Sequence, residues 1–175
     1  MNRYVCLLRG INVSGKNKIL MKELVALFEN LEFRHVESYI QSGNVSFEAD
    51  VADKKQLEEV ITKGIREQFG YEVKSFVRSK EEIRELLDRC PYSISELKEN
   101  EQLYFSLLES QRKNDDIPLE IRAKTADEFW ISDDTIYILC RNGYGNTLLS
   151  NTFFEKKLKT TATTRNLATM IKLSE

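Results

Sequence analysis

A short apolar run near the start of the chain limits the folds that this sequence can adopt. Residues 3–9 form an extended-type segment that is apolar on both faces, with an unbroken apolar series from Tyr4 to Leu8. Such a composition is typical of a strand at the centre of a sheet, where both faces are covered. We therefore expect this segment to be a central strand.

The following segments alternate between helical and extended patterns in an order that defines a fold. The patterns predict a helix, two strands joined by the two-residue turn Ser42-Gly43, a helix opened by a capping box, and a last strand. These segments are 20–31, 36–41, 44–48, 53–70 and 73–78. The resulting order, βαββαβ, is the ferredoxin-like plan, with an antiparallel sheet and helices on one face.

The second half of the chain repeats this plan in part. Its patterns give the order βαββα, with one further helix before this series and one after it. Thr152 with Glu155 is expected to cap a helix. The hairpin around Asp133-Asp134 echoes the one around Ser42-Gly43, which indicates a weak internal duplication. We therefore predict an α+β protein with a ferredoxin-like unit over residues 1–78 and a related unit over residues 79–175.

Composition places the chain among ordinary globular proteins of a reducing compartment. Hydrophobic residues make up 41% and charged residues 31% of the sequence, and no apolar run approaches membrane-spanning length. Arg9 interrupts the apolar start before it reaches the length of a signal segment. The three cysteines show no C-x-x-C spacing, and Cys6 and Cys140 lie in apolar strand-like runs. Buried free thiols, a cytoplasmic location and no membrane partner are expected.

The charge distribution points to a ligand of negative charge. Net charge is −2, yet the segment from Arg9 to Lys22 carries four cations and the segment from Lys156 to Lys172 carries five, both without an acid. Two such segments create a positive patch if they meet in space. The alternative is that each is a solvated helix face.

The loop from Arg9 to Lys18 is the strongest candidate site. It carries two glycines and three cations, and it misses the phosphate-loop pattern only because Asn17 stands where Ser or Thr is required. A loop of this composition can turn backbone N–H groups and positive charge toward an anion. The expected ligand contacts are Arg9, Asn12, Lys16 and Asn17. The alternative is a structural loop in which Asn12 and Asn17 bind the backbone and the glycines relax its dihedral angles.

Two further segments complete the candidate site. Thr163, Thr164, Arg165 and Asn166 precede an apolar-periodic helix, and a helix N-terminus with hydroxyls and a guanidinium suits phosphate or carboxylate. The alternative there is plain N-capping by Thr163 or Thr164 with a solvated Arg165. The hairpin tip contributes polar side chains, whose alternative role is the turn itself. These tip residues are Gln41, Ser42 and Asn44.

Several of these motifs together resemble an uncharacterised bacterial family named domain of unknown function 1697. The resemblance covers nearly the whole chain and rests on Leu8-Arg9-Gly10-Ile11-Asn12-Val13 with Lys16-Asn17, Tyr39-Ile40-Gln41-Ser42-Gly43-Asn44-Val45, Gly145-Asn146, Phe153-Phe154-Glu155 and Ala162-Thr163-Thr164-Arg165-Asn166. It implies a two-part ferredoxin-like α+β fold and supplies no activity.

The sequence departs from the family pattern at two places. Ser14 replaces a usual glycine, so a left-handed backbone is less expected there. Leu167-Ala168 replaces a usual Trp-Asn.

Three functions remain open at this stage. The first is a binding domain for a nucleotide, nucleic acid or other anionic ligand in a cleft between the Arg9–Lys18 loop and the Thr163–Asn166 segment. The second is an enzyme of unidentified class that uses Arg9, Lys16 and Arg165 to hold an anionic small molecule in that cleft. The third is a protein-interaction module without a ligand. No catalytic residue, cofactor or oligomeric state is indicated, and the single histidine and the cysteine spacing predict no metal site.

Overall fold

The strands and helices of the chain group into two units. The computed structural model describes residues 1–122 and 124–175, and these divide into Met1–Ile83 and Arg84–Glu175. Each unit contains one four-stranded antiparallel sheet with helices packed against it. The α+β class predicted from the sequence is confirmed.

The first unit has the predicted βαββαβ order. The strand order β2-β3-β1-β4 places the first strand between two antiparallel neighbours, and both of its faces are buried from Tyr4 to Leu8. The prediction of a central first strand is therefore confirmed. The elements are β1 (Asn2–Leu8), α1 (Met21–Asn30), β2 (Arg34–Tyr39), β3 (Asn44–Ala49), α2 (Lys54–Phe69) and β4 (Ser75–Ser79), followed by α3 (Lys80–Asp88), within which the unit boundary lies.

Local capping chemistry sets the ends of these helices. Asp53 accepts a hydrogen bond of 2.9 Å from the Lys55 amide at the start of α2, and Gly70 ends that helix with a left-handed φ of 74°. At the start of α3, the Ser79 amide donates to Glu82 at 2.8 Å, and the Glu82 amide donates to the Ser79 hydroxyl at 3.1 Å. This reciprocal pair satisfies two amides that the helix itself leaves unpaired.

The tip of the β2–β3 hairpin differs from the predicted two-residue turn. The strands pair as far as Tyr39 with Asn44, which leaves a four-residue tip with positive φ at Ile40 and Gly43. Asn44 determines this shape, because its Nδ2 donates to the Tyr39 carbonyl at 3.1 Å and to the Ser42 hydroxyl at 2.8 Å. The tip also packs inward, since Gly43 accepts a hydrogen bond of 2.8 Å from the Leu8 amide.

The second unit contains one strand more than the predicted βαββα order. Its sheet order is β6-β7-β5-β8, and the turn at Asp133-Asp134 lies where it was predicted. The final strand covers the threonine-rich segment that was predicted to precede a helix as loop or cap. The elements are β5 (Gln102–Leu108), α4 (Leu119–Arg122), β6 (Glu128–Ser132), β7 (Thr135–Cys140), α5 (Asn151–Leu158), β8 (Ala162–Asn166) and α6 (Leu167–Ser174).

The cap of α5 also differs from the prediction. Ser150 caps this helix by accepting a hydrogen bond of 3.2 Å from the Phe153 amide. Glu155 instead accepts a hydrogen bond of 2.9 Å from the Ala162 amide. The predicted pairing of Thr152 with Glu155 is therefore wrong, because Glu155 is used to hold the start of β8.

We predict that Gly43→Ala destabilises the protein more than Gly10→Ala does. Both glycines have similar left-handed φ values, 76° and 70°, so both variants acquire the same backbone strain. An added Cβ at Gly43 would lie 2.7 Å from Ile11 Cδ1 and 2.9 Å from Leu8 Cβ, whereas one at Gly10 meets no atom within 4 Å. Urea denaturation should show an additional loss of about 1–3 kcal/mol for Gly43→Ala. Equal losses would contradict the packing described for the hairpin tip.

Candidate functional site

Two of the predicted motifs lie together at one end of the first sheet. The loop of residues 9–18 leaves β1, and residues 40–44, which comprise the hairpin tip and the first residue of β3, approach it. The Leu8 amide donates to the Gly43 carbonyl at 2.8 Å, and the Asn12 side chain donates to the Gln41 carbonyl at 3.0 Å. We call residues 9–18 and 40–44 the loop end.

The side chain of Asn12 connects three parts of the chain at the loop end. Its Nδ2 donates to the Ile19 carbonyl at 2.9 Å and to the Gln41 carbonyl, while its Oδ1 accepts from the Ile19 amide at 2.9 Å. A single amide side chain therefore closes the loop and joins it to the hairpin tip. This is the structural role that the sequence left open as an alternative for Asn12.

The remaining polar contacts fold the loop into a small hairpin. Val13 and Lys16 form an antiparallel bridge, with the Lys16 amide 3.0 Å from the Val13 carbonyl. The Asn12 amide donates to the Asn17 carbonyl at 3.2 Å, and the Asn17 side chain donates to the Gly10 carbonyl at 3.1 Å. Helix α1 begins only at Met21, so the loop lacks the direct entry into a helix that a nucleotide phosphate loop requires.

Left-handed backbone is concentrated in this loop. The φ angle is positive at five of its ten residues, which are Gly10, Asn12, Ser14, Gly15 and Asn17. The expectation that Ser14 avoids this conformation was wrong, since its φ is 50°. The closed Val13–Lys16 hairpin imposes that turn on a residue that rarely adopts it. Strained backbone of this kind is a recurrent feature of ligand-binding segments.

The positive charge of the loop end is exposed to solvent on two lysines. Lys16 and Lys18 are exposed, and neither forms an ion pair within residues 1–122 or 124–175. Arg9 is half-buried, and its backbone amide donates to the Lys74 carbonyl at 2.9 Å. Gln41 is exposed in the hairpin tip, whereas Asn44 is buried in the turn that it stabilises.

The third predicted motif, the segment from Thr163 to Asn166, lies in the second unit. Most of its side chains form hydrogen bonds within that unit. Thr163 and Arg165 are buried in β8, and Arg165 Nη1 donates to the Thr163 hydroxyl and to the Thr164 carbonyl, both at 2.9 Å. The N-cap of α6 is Asn166, which accepts a hydrogen bond of 2.9 Å from the Thr169 amide. The alternative that Thr163 or Thr164 caps this helix beside a solvated Arg165 is therefore wrong, because both threonines belong to the strand and Arg165 is buried.

A hydroxyl and amide network around Thr164 escaped the sequence analysis. The Thr164 hydroxyl oxygen lies 3.1 Å from the Ser106 hydroxyl and 3.0 Å from the side-chain Oδ1 of Asn151, and the Asn151 backbone amide donates to the Tyr144 hydroxyl at 3.1 Å. Burial raises the pKa of Tyr144. No sequence signal joins these residues, because Ser106 in β5 is far along the chain from Asn151 and Thr164.

The predicted common cleft would require two segments that belong to different units. The loop end belongs to Met1–Ile83 and the Thr163–Asn166 segment to Arg84–Glu175. The shared cleft therefore stays a prediction.

The single histidine has a carboxylate partner. His35 lies at a bulge of β2 with a φ of 48°, and its Nδ1 is 3.0 Å from Glu48 Oε2. Arg3 donates to Glu48 Oε1 at 2.8 Å. Hydrogen bonds from Arg3, and then from His35, hold the pKa of Glu48 below its ordinary value.

The cysteines of this chain are poor candidates for nucleophiles, and the described residues contain no ready-made metal site. Cys6 and Cys140 are buried, and burial raises the pKa of Cys140 to about 11 and also raises that of Cys90. High thiol pKa values disfavour the nucleophilic thiolate. Within the described residues, no group of three or more His, Cys, Asp or Glu side chains is placed to hold a metal ion. Among the described helices, none combines the length and hydrophobicity needed to cross a bilayer.

Comparison with known proteins agrees with this architecture. A family model described as a protein of unknown function (DUF1697) matches residues 1–137. The chain belongs to this family. The match includes the whole loop end, so the resemblance inferred from its motifs is confirmed.

One solved structure of similar fold is the conserved bacterial protein SP0830 from Streptococcus pneumoniae. It superposes with a TM-score of 0.71 at 24% sequence identity, over 99% of this chain and 97% of the other. At that identity the likeness shows a shared fold. No match was found among curated proteins.

We predict that Asn12→Ala destabilises the protein more than Asn17→Ala does. Both asparagines have positive φ, 54° and 46°, so the alanine variants carry similar backbone strain. Asn12 makes three side-chain hydrogen bonds to the backbone of two other segments, whereas Asn17 makes one within the loop. Chemical denaturation should give a further loss of about 1–3 kcal/mol for Asn12→Ala. Equal stability of the two variants would exclude the connecting role assigned to Asn12.

We also predict that Glu48 contributes stability that disappears in acid. Its folded-state pKa lies below the ordinary value of 4.5, so the contribution is complete above that value and is lost as the pH falls through the folded pKa. The difference in unfolding free energy between wild type and Glu48→Gln should therefore shrink between about pH 5.5 and about pH 3. Exposed Glu59 supplies the control variant Glu59→Gln. A difference that stays constant over this range would contradict the pairing with Arg3.

Proposed function

We propose that this protein binds a phosphate-bearing or other anionic ligand, a nucleotide or a nucleic acid, at the loop end of its first unit. The observation that carries the proposal is the placement of Lys16 and Lys18. Both are exposed and without an ion pair in the described residues, on a loop whose backbone is fixed by Asn12 and Asn17. A fixed backbone lowers the entropy lost when the lysines engage an anion.

The chemistry of the loop end favours binding over catalysis. Residues 9–18 and 40–44 contain no Asp, Glu, His or Cys, so they lack the usual general acids, general bases and thiol nucleophiles. They contain amides, two hydroxyls and cations, which donate hydrogen bonds to anions. Charge-assisted bonds of this kind are stronger than neutral ones.

The proposal depends on the loop end alone. In the second unit, Arg165 and Thr164 already have hydrogen-bond partners of their own. Residues Arg9, Asn12, Asn17, Gln41, Ser42 and Asn44 shape or flank the site, and Lys16 and Lys18 make the ligand contacts.

We predict that Lys16→Ala and Lys18→Ala weaken binding without changing the thermal melt. Each exposed lysine contributes little to packing, and each lost phosphate contact should lower affinity by roughly 1.5–3 kcal/mol. Binding is measured by calorimetric titration with nucleotides and with short single-stranded oligonucleotides at several salt concentrations. For oligonucleotides, each variant should also reduce the salt slope by about 1.

The matched control is Lys63→Ala. Lys63 is an exposed lysine of α2 in the same unit, paired with Glu67 at 3.8 Å and outside the loop end. This variant should bind like wild type. Equal losses of affinity in Lys63→Ala and Lys16→Ala would show that the effect comes from net charge and not from the loop end. An absence of binding by the wild-type protein would favour an interaction protein without a ligand.

A further inference from the structure

Three exposed aliphatic side chains lie at the loop end or directly after its first segment. Val13, Leu20 and Ile40 are 56%, 57% and 51% exposed to solvent. Val13 belongs to the loop, Ile40 belongs to the hairpin tip, and Leu20 is the residue before the start of α1. Single exposed apolar residues are ordinary on a protein surface, whereas a group of them marks an interaction site.

The hydrogen bonds of Asn12 hold these three residues in one neighbourhood. The Asn12 side chain donates to the Gln41 carbonyl at 3.0 Å and to the Ile19 carbonyl at 2.9 Å, and it accepts from the Ile19 amide at 2.9 Å. The three aliphatic residues are the immediate chain neighbours of Asn12, Ile19 and Gln41. The backbone positions that carry them are therefore close together.

The fold does not require apolar side chains at these positions. Ile40 has a left-handed φ of 51°, which is an outlier for a β-branched residue. Leu20 is the N-cap of α1 and makes no capping hydrogen bond, where Ser, Thr, Asp or Asn would stabilise the helix. Val13 is exposed beside Lys16, its partner in the bridge. Their apolar character therefore points to contact with a partner.

The composition around these side chains selects the kind of partner. Residues 9–22 and 40–44 contain no Asp or Glu, and Lys16 and Lys18 are exposed, so the partner is negatively charged. The same residues contain no Phe, Tyr or Trp, on which the bases of a single-stranded nucleic acid would stack. An anionic membrane offers phosphates to the lysines and hydrocarbon to the aliphatic side chains at adjacent depths.

We infer that the loop end docks on the surface of an anionic lipid membrane. Val13, Leu20 and Ile40 enter the boundary between headgroups and acyl chains, while Lys16 and Lys18 contact lipid phosphates. The inference rests on the proposed function, because it uses the same lysines and names a lipid as the source of the phosphate. The expectation of no membrane partner was based on the length of the apolar runs, and a protein that lies on the surface needs no spanning segment.

The test measures co-sedimentation of the full chain with lipid vesicles. Anionic vesicles contain equal parts of phosphatidylglycerol and phosphatidylcholine, and neutral vesicles contain phosphatidylcholine alone. The free headgroup, glycerophosphoglycerol, serves as a soluble competitor. The variants are Ile40→Asn, Val13→Ser and Lys16→Ala. Val60, an exposed valine of α2 in the same unit and outside the loop end, supplies the matched control Val60→Ser.

Ile40→Asn separates membrane contact from stability. Asparagine adopts left-handed φ values far more readily than isoleucine does, so the melting temperature of this variant should equal or exceed that of the wild type. Its affinity for anionic vesicles should nevertheless fall about 5- to 20-fold, because an apolar side chain no longer enters the membrane. Val13→Ser should show a similar loss, and Lys16→Ala a loss of about 5-fold. Val60→Ser should bind like the wild type.

The other arms distinguish the lipid from soluble ligands. Wild-type protein should bind anionic vesicles more tightly than neutral ones, and Ile40→Asn and Val13→Ser should retain wild-type affinity for nucleotides. Nucleotide binding without vesicle binding would overturn this inference and leave the proposed function intact. Vesicle binding without nucleotide binding would support this inference and remove the nucleotide from the proposed function.

Four further results would overturn the inference. They are equal binding to neutral vesicles, unchanged vesicle binding by Ile40→Asn, displacement from vesicles by the free headgroup at the same phosphate concentration, and tighter binding of an acidic peptide of alternating glutamate and leucine. The third result would assign the lysines to a soluble phosphate. The fourth would assign the surface to a protein partner.

Discussion

The two-sided pairing of β1 determines how the first unit is closed. Its backbone hydrogen-bonds to β3 on one side and to β4 on the other, and both of its faces are buried. A chain that leaves such a strand must reverse direction at the end of the sheet and still satisfy its backbone polar groups. The loop of residues 9–18 meets this demand with left-handed residues, an internal bridge and the side chains of Asn12 and Asn17.

The same demand divides the polar residues of the loop end into two groups. The asparagines turn inward and bind backbone, which joins the loop to the hairpin tip through the contact of Asn12 with Gln41. The lysines remain outside, exposed and without acidic neighbours in the loop. A rigid scaffold that presents free cations is the arrangement from which the proposed anion binding arises. The structural and ligand-binding interpretations of this loop are therefore complementary.

Much of the fold could be predicted from local sequence signals. Apolar patterning located β1, and capping residues located the starts of α2 and α3, because these signals act within a few residues. Long-range effects escaped prediction. Segment 162–166 is polar and threonine-rich, and it becomes a strand only because it pairs with β5. Ser14 turns left-handed because Val13 and Lys16 close around it, and the partnership of His35 with Glu48 depends on a bulge between strands.

The most direct test of this account is a nuclear magnetic resonance titration of isotope-labelled protein with a nucleotide and with a short oligonucleotide. If the loop end is the binding site, the backbone amide signals that move most will be those of residues 13–18 and 41–43, and the Asn12 side-chain amide will retain its hydrogen-bonded shift. The two segments should saturate at the same ligand concentration, because Asn12 joins them. Ligand-dependent shifts confined to other parts of the chain, with these residues unchanged, would contradict the account.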